Sequence, residues 1–149
     1  MSFLLDTNVL SELTRPGCEP RVLQWLRSLD EDETFISVVS VAEIRQGIEF
    51  LPRGKRRDAL HDWLNLGLIE RYAGRTIDVT VEIAGHWGVL AARAREAGGK
   101  LPVMDGFIAA TAHVRSLTLA TRNVRDFAKL GVRFVNPWHS GQATAGSGP

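Results

Sequence analysis

Phe3-Leu4-Leu5-Asp6-Thr7-Asn8-Val9-Leu10 is the stretch on which the reading of this 149-residue chain turns. Phe3, Leu4 and Leu5 are apolar without alternation, as in a strand buried on both faces of a parallel sheet. An acid follows at once. In an open parallel sheet, ligands bind outside the carboxyl ends of the strands, so Asp6 stands where such a site forms. Asp6 can equally cap the short helix expected from Val9 to about Leu13, and both roles remain open.

Working outward, the chain alternates between the two periodicities. Pro16 and Gly17 stop the first helix, and Pro20 opens a second carrying Val22, Leu26 and Leu29 at helical spacing. Thr34 to Ser37 reads as a strand. Ser40-Val-Ala-Glu43 reads as a capping box opening a helix toward Phe50. Leu60, Trp63, Leu64 and Leu68 give a one-sided helix, Thr76 to Val79 a short strand, and Ile83, Trp87, Leu90 and Ala94 a helix ending at Gly98-Gly99. Pro102 opens a helix with Val103, Phe107, Ala110 and Val114 on one face. Leu117 to Thr121 is a strand, Val124 to Leu130 a helix, and Val132 to Val135 a last strand. Strands alternating with helices predict an α/β fold with a mainly parallel central sheet flanked by helices. Residues 140–149 lack periodicity and are expected to be a disordered tail, leaving one domain over residues 1–139.

Composition excludes more than it selects. The apolar fraction is 44%, the charged fraction 23% and the formal net charge +1, so overall charge marks no nucleic-acid binder. No apolar run is long enough to cross a bilayer, and an acid at position 6 comes too early for a signal peptide, so the expected location is cytoplasmic. The single cysteine, Cys18, has no disulfide partner and is read as structural. Basic residues bunch at Arg53, Lys55, Arg56 and Arg57 and again at Arg93, Arg95 and Lys100. Solvated helix ends explain both groups as well as a ligand does.

Acids recur at the strand-to-helix junctions. Asp6 follows the first strand, Glu43 lies shortly after the second, and Asp105 sits in the first turn after Pro102, where the helix dipole favours it. After the Leu117 strand comes Thr121-Arg122-Asn123-Val124-Arg125-Asp126, in which Asp126 or Asn123 could complete a cluster. Each acid alone has a local structural role. Three at three junctions of one small sheet are not explained that way. Carboxylates forced together must take up protons or a cation, and hard oxygen donors select Mg²⁺ or Mn²⁺. Such an ion turns an acidic pocket into one that attracts a polyanion. No Gly-rich phosphate loop, zinc-spaced His pair or nucleophile elbow is present, and His61, His86, His113 and His139 are scattered.

Four ordered motifs resemble the PIN-domain family. They are Leu-Leu-Asp6-Thr7-Asn8-Val-Leu-Ser-Glu12, Ser-Val-Ala-Glu43-Ile-Arg-Gln-Gly47, Pro-Val-Met-Asp105-Gly-Phe-Ile-Ala-Ala-Thr111-Ala and Thr121-Arg-Asn-Val-Arg-Asp126-Phe. The closing Val-Asn136-Pro137-Trp138 is similar to the VapC/FitB-like branch of toxin–antitoxin nucleases. The resemblance spans Phe3 to Trp138. It implies a PIN fold and Mg²⁺- or Mn²⁺-dependent RNA cleavage by a toxin that forms a homodimer and a hetero-oligomer with a cognate antitoxin. By position, Asp6 and Asp105 resemble the principal metal ligands and Glu43 a further ligand or water-positioning carboxylate. Asp126 is the candidate fourth catalytic acid, because Asn123 stands where some relatives carry one. Thr7, Asn8, Thr121 and Asn123 are the residues expected to orient carboxylates or substrate. An antitoxin segment carrying Arg or Lys would complement the acidic pocket. Two alternatives remain: an aspartate-nucleophile phosphatase, disfavoured because Asn8 replaces the second acid, and a catalytically silent PIN-like module binding RNA or protein.

Overall fold

The computed structural model describes residues 1–139; the tail expectation for residues 140–149 falls outside them. Five strands form one sheet in the order β3-β2-β1-β4-β5: β1 (Phe3–Leu5), β2 (Thr34–Ser37), β3 (Thr76–Ile77), β4 (Thr118–Ala120) and β5 (Phe134–Val135). Every pairing is parallel, with Leu4 opposite both Phe35 and Leu119. The sheet is thus wholly rather than mainly parallel. Chain order runs from β1 outward to β3, then returns to β4 on the other side of β1. The switch point therefore lies between β1 and β4.

The unbroken apolar run of β1 has its counterpart in two cores. Phe3 and Leu5 point to one face, with Leu10 of α1 (Thr7–Glu12), Val22 of α2 (Pro20–Arg27), and Ile44 and Ile48 of α3 (Val38–Glu49). Leu4 points to the other, with Ile83 and Leu90 of α6 (Val81–Glu96), Ile108 of α7 (Val103–Val114) and Phe127 of α8 (Val124–Ala128). Neither face of β1 meets water, which is why its sequence does not alternate. The one-sided helix expected around Trp63 is three joined pieces: α4 (Lys55–Asp62), a π-helical segment Trp63–Leu68, and α5 (Ile69–Arg71). Leu64 and Leu68, one turn apart in that segment, are buried in the first core. The outer strands are shorter than their apolar runs predict, and a 3-10 turn, Glu31–Glu33, precedes β2.

The expected capping box at Ser40 does not form. Ser37, the last residue of β2, is the N-cap instead, its Oγ accepting from the Val39 amide at 3.0 Å. The strand passes into the helix without a loop, so Ser40 already lies inside the first turn and Glu43 a turn beyond the cap. Among the other junctions, Glu12 is buried and its Oε1 accepts from the Glu19 amide at 3.0 Å, which ties the Leu13–Cys18 turn back to α1.

Helices α6 and α7 meet at Gly106, which lies against Trp87 of α6. A Cβ built there would stand 2.6 Å from Trp87 Nε1 and 2.6 Å from a methyl of Leu101. The same indole nitrogen donates to the Val103 carbonyl at 3.1 Å, so Trp87 anchors the first turn of α7, which carries Asp105. The leucine can swing aside; the indole cannot move without giving up its hydrogen bond. Gly106→Ala is therefore expected to cost about 1–3 kcal/mol of unfolding free energy by overpacking. Urea denaturation checks this, and an unchanged midpoint would show that the helices can separate freely.

Candidate active site

At the carboxyl edge of the sheet, beside the switch point, the end of β1 meets the end of β4. The Asp6 amide donates to the Ala120 carbonyl at 2.9 Å, extending the β1–β4 pairing one residue past both strands. The Asp6 side chain then turns into α1. Its Oδ1 accepts from the Thr7 amide at 2.8 Å, so the helix-capping role holds. Its Oδ2 accepts from Thr121 Oγ1 at 2.7 Å and Asn8 Nδ2 at 3.2 Å. Three donors leave about one of a carboxylate's four acceptor directions for a proton or a cation.

Around Asp6, most of the expected orienting residues find partners. Thr121 is fully buried, and its hydroxyl oxygen also accepts from the Asn123 amide at 2.9 Å. Asn8 Oδ1 accepts from the Arg122 amide at 3.3 Å, so Asn8 ties α1 to the loop after β4. Thr7 Oγ1 donates to Glu43 Oε1 at 2.8 Å and lies 3.0 Å from Ser40 Oγ. A hydroxyl has one proton; with that of Thr7 on the carboxylate, Ser40 supplies the proton of the second bond. Glu43 is thus held from α1, across the β1–β2 edge, and free of any capping duty. Ser40 is the residue that sequence reading misplaced: its hydroxyl is buried for this contact, and a serine in a helix's first turn signals a cap far more readily than a buried polar link.

Four carboxylates converge. Burial raises the Asp6 carboxyl from 3.8 to about 6, with the hydrogen bonds from Thr121 and Thr7 opposing and the charges of Asp105 and Glu43 adding to the rise. Asp105 is also raised, first by burial and then by Glu43 and Asp126. It sits in the first turn of α7 and makes no capping hydrogen bond, so its place on the helix dipole does not offset its neighbours. At the open fourth position, Asp126, on α8, lies in the same cavity wall as Asp105 and close enough for its charge to raise it. Asn123 contributes its backbone amide to Thr121 and no capping side chain. The four histidines stay outside the cluster, although His86 and His113 are not scattered in space: their rings stack 4.1 Å apart.

These donors are hard oxygens that repel one another, which fits a divalent cation such as Mg²⁺. Among the described residues no three acidic, His or Cys side chains close into a ready-made shell.

An all-parallel α/β sheet with a carboxylate cluster at its switch point defines the class of protein. Within that class, the PIN domain family matches residues 3–132, and the chain belongs to this family. It is 39% identical to the toxin FitB of Neisseria gonorrhoeae, over 91% of this chain and 98% of the relative. It is 33% identical to the VapC ribonuclease Y4jK of Sinorhizobium fredii, over 91% and 96%. The crystal structure of FitAcB from Neisseria gonorrhoeae superposes with a TM-score of 0.86 at 38% identity, covering 93% of this chain and 99% of that one.

The raised Asp6 carboxyl has a signed consequence for stability. Its ionised form disfavours the fold, so the cost is absent below 3.8 and complete above about 6. At about 1.4 kcal/mol per pH unit, the full cost is on the order of 3 kcal/mol without bound cation. Asp6→Asn should therefore gain stability relative to the parent as pH rises from about 4 to 7, in denaturant titrations with chelator. A difference that stays flat across this range would mean that Asp6 is not charged at a cost to the fold.

Proposed function

We propose that the chain is a divalent-metal-dependent endoribonuclease, acting as the toxin of a type II toxin–antitoxin pair. The observation that carries this is the convergence of Asp6, Glu43, Asp105 and Asp126 at the switch point with too few donors to neutralise them. The names of relatives aligned over nearly the whole chain, a VapC ribonuclease and a toxin, support it. Asp6 and Asp105 would hold Mg²⁺ or Mn²⁺, with Glu43 as a further ligand or a positioner of water. Bound there, the ion would supply a water of lowered pKa and a counter-charge for the phosphate.

The chain's own side chains set the conditions for that chemistry. Thr121 and the Thr7 amide hydrogen-bond the ionised form of Asp6, one on each oxygen. Thr7 and Ser40 fix Glu43. Asp126, exposed and in the same cavity wall as Asp105, stands at the outer side of the cluster. The acidic opening also suits inhibition by an antitoxin segment presenting Arg or Lys, in a hetero-oligomer. A homodimer fits α6, whose Val81 and Val89 are exposed while Gly85 and Gly88 between them let another helix approach.

Purified Asp6→Asn and Asp105→Asn are expected to lose cleavage of cellular RNA entirely while keeping the parent's circular dichroism, and the parent should sediment as a dimer. Anomalous scattering from Mn²⁺-soaked crystals should place an ion against Asp6. Undiminished cleavage by either variant, or no ion there, would reject the assignment. Metal-independent RNA binding without cleavage by the parent would point to the silent module instead.

Thr121 separates a tuned carboxylate from a merely packed one. Removing its hydrogen bond leaves burial opposed mainly by the Thr7 amide, so Thr121→Val raises Asp6 further. Protons then compete with the metal at higher pH. The pH at which Mn²⁺ affinity falls off should move upward, with activity reduced about 10–100-fold and restored by Thr121→Ser. An unmoved pH profile would assign Thr121 to packing alone.

A further inference from the structure

A cavity of about 590 Å³ opens beside the acidic cluster, between the C-terminal half of α6, the loop into α7, and the end of α8. Asp105 and Asp126 are the carboxylates in its wall. The apolar part is aliphatic, from Leu90, Leu101 and Leu130. Three cations complete the lining: Arg93, Lys100 and Lys129. All three are exposed, and none takes part in an ion pair among the described residues. They come from three separate segments, so no single helix end accounts for them. The size falls within the range of small-ligand sites, about 300–1,000 Å³.

We propose that this cavity is a nucleotide subsite, holding one nucleotide of single-stranded RNA next to the bond that the acidic cluster cleaves. The proposal rests on the nuclease reading above. The aliphatic walls take the faces of a base and its ribose. Arg93, Lys100 and Lys129 take the neighbouring phosphate, whose charge the carboxylate side of the cavity cannot hold without a cation. A base must leave its helix to enter a walled cavity, so the subsite selects single strands, loops and bulges over duplex. An apolar peptide would use the same walls but leave the three cations unmatched.

The test uses the Mn²⁺-loaded full chain and a fluorescein-labelled, phosphorothioate-linked oligoribonucleotide of mixed sequence, about ten nucleotides long. Lys100→Ala and Lys129→Ala should each weaken binding about 3–10-fold and flatten the dependence of log affinity on log salt by about 0.7. Ala97→Trp, at the exposed wall of the cavity, should weaken binding at least about tenfold by filling the space for the base. Each variant should keep the thermal upshift given by Mn²⁺, which reports on the acidic cluster alone. If the parent binds the probe and cleaves cellular RNA while the lysine variants match it in affinity and salt slope, the subsite is rejected and the nuclease reading stands. If the parent neither binds nor cleaves, the nuclease reading fails and the subsite with it. Unchanged RNA affinity together with loss of a co-purifying protein partner would assign the cavity to a peptide and overturn the proposal.

Discussion

A single carboxylate, buried at the end of the central strand, organises this molecule. Asp6 belongs at once to the sheet, through its amide on Ala120, and to α1, through its side chain on the Thr7 amide. Burial makes its charge unfavourable, and the hydrogen bonds from Thr121 and the Thr7 amide return part of the loss. Those partners arrive from opposite directions along the chain, one on the next strand and one on the first turn of the helix. The position of Asp6 is consequently fixed by tertiary structure on all sides, which is the condition for holding a reacting group in place.

From Asp6 the ordering spreads in two directions. Toward β4, Asn8 accepts from the Arg122 amide and Thr121 from the Asn123 amide, which shapes the turn into α8 and sets Asp126 near Asp105. Toward β2, Thr7 reaches Glu43 and Ser40 on α3. Asp105 enters by a third route that makes no polar contact with the others. Trp87, through its hydrogen bond to the Val103 carbonyl, and the bare backbone of Gly106 fix the first turn of α7. The carboxylates share no direct hydrogen bond; they are related through the backbone elements that carry them and through their mutual repulsion.

This division explains what could be read in the sequence. The buried strand at Phe3–Leu5 and the strand-helix alternation follow from periodicity and stand in the structure; of the three acids, only Asp6 sits at a strand-to-helix junction, since Glu43 lies inside α3 and Asp105 opens a helix that follows α6. Ser40 was misread because serine three residues before glutamate is a local signal, while the actual cap at Ser37 depends on where β2 ends. Where Asn123 and Asp126 stand relative to the cluster was not legible locally either, since it turns on how the loop after β4 winds around Thr121. The π-helical segment at Trp63–Leu68 leaves no mark in an apolar pattern that a plain helix would satisfy equally. The stacking of His86 on His113 depends on α6 lying against α7, a pairing between helices that spacing within either helix does not reveal.

The cluster is unfavourable to the fold that carries it, and that bears on its meaning. Thr7, Ser40, Asn8 and Thr121 could hold α1 against β4 and α3 through neutral hydrogen bonds, with an asparagine at position 6 and no buried charge. A purely structural junction would gain by that replacement. Four acids kept within each other's fields, two of them raised by burial and by their neighbours, instead suit the metal-binding role proposed above. The same logic separates Asp6 from Glu12. Glu12 is also buried, but it faces the Glu19 amide and the Arg15 guanidinium, so its partners lie within the chain and its role ends at the turn it closes.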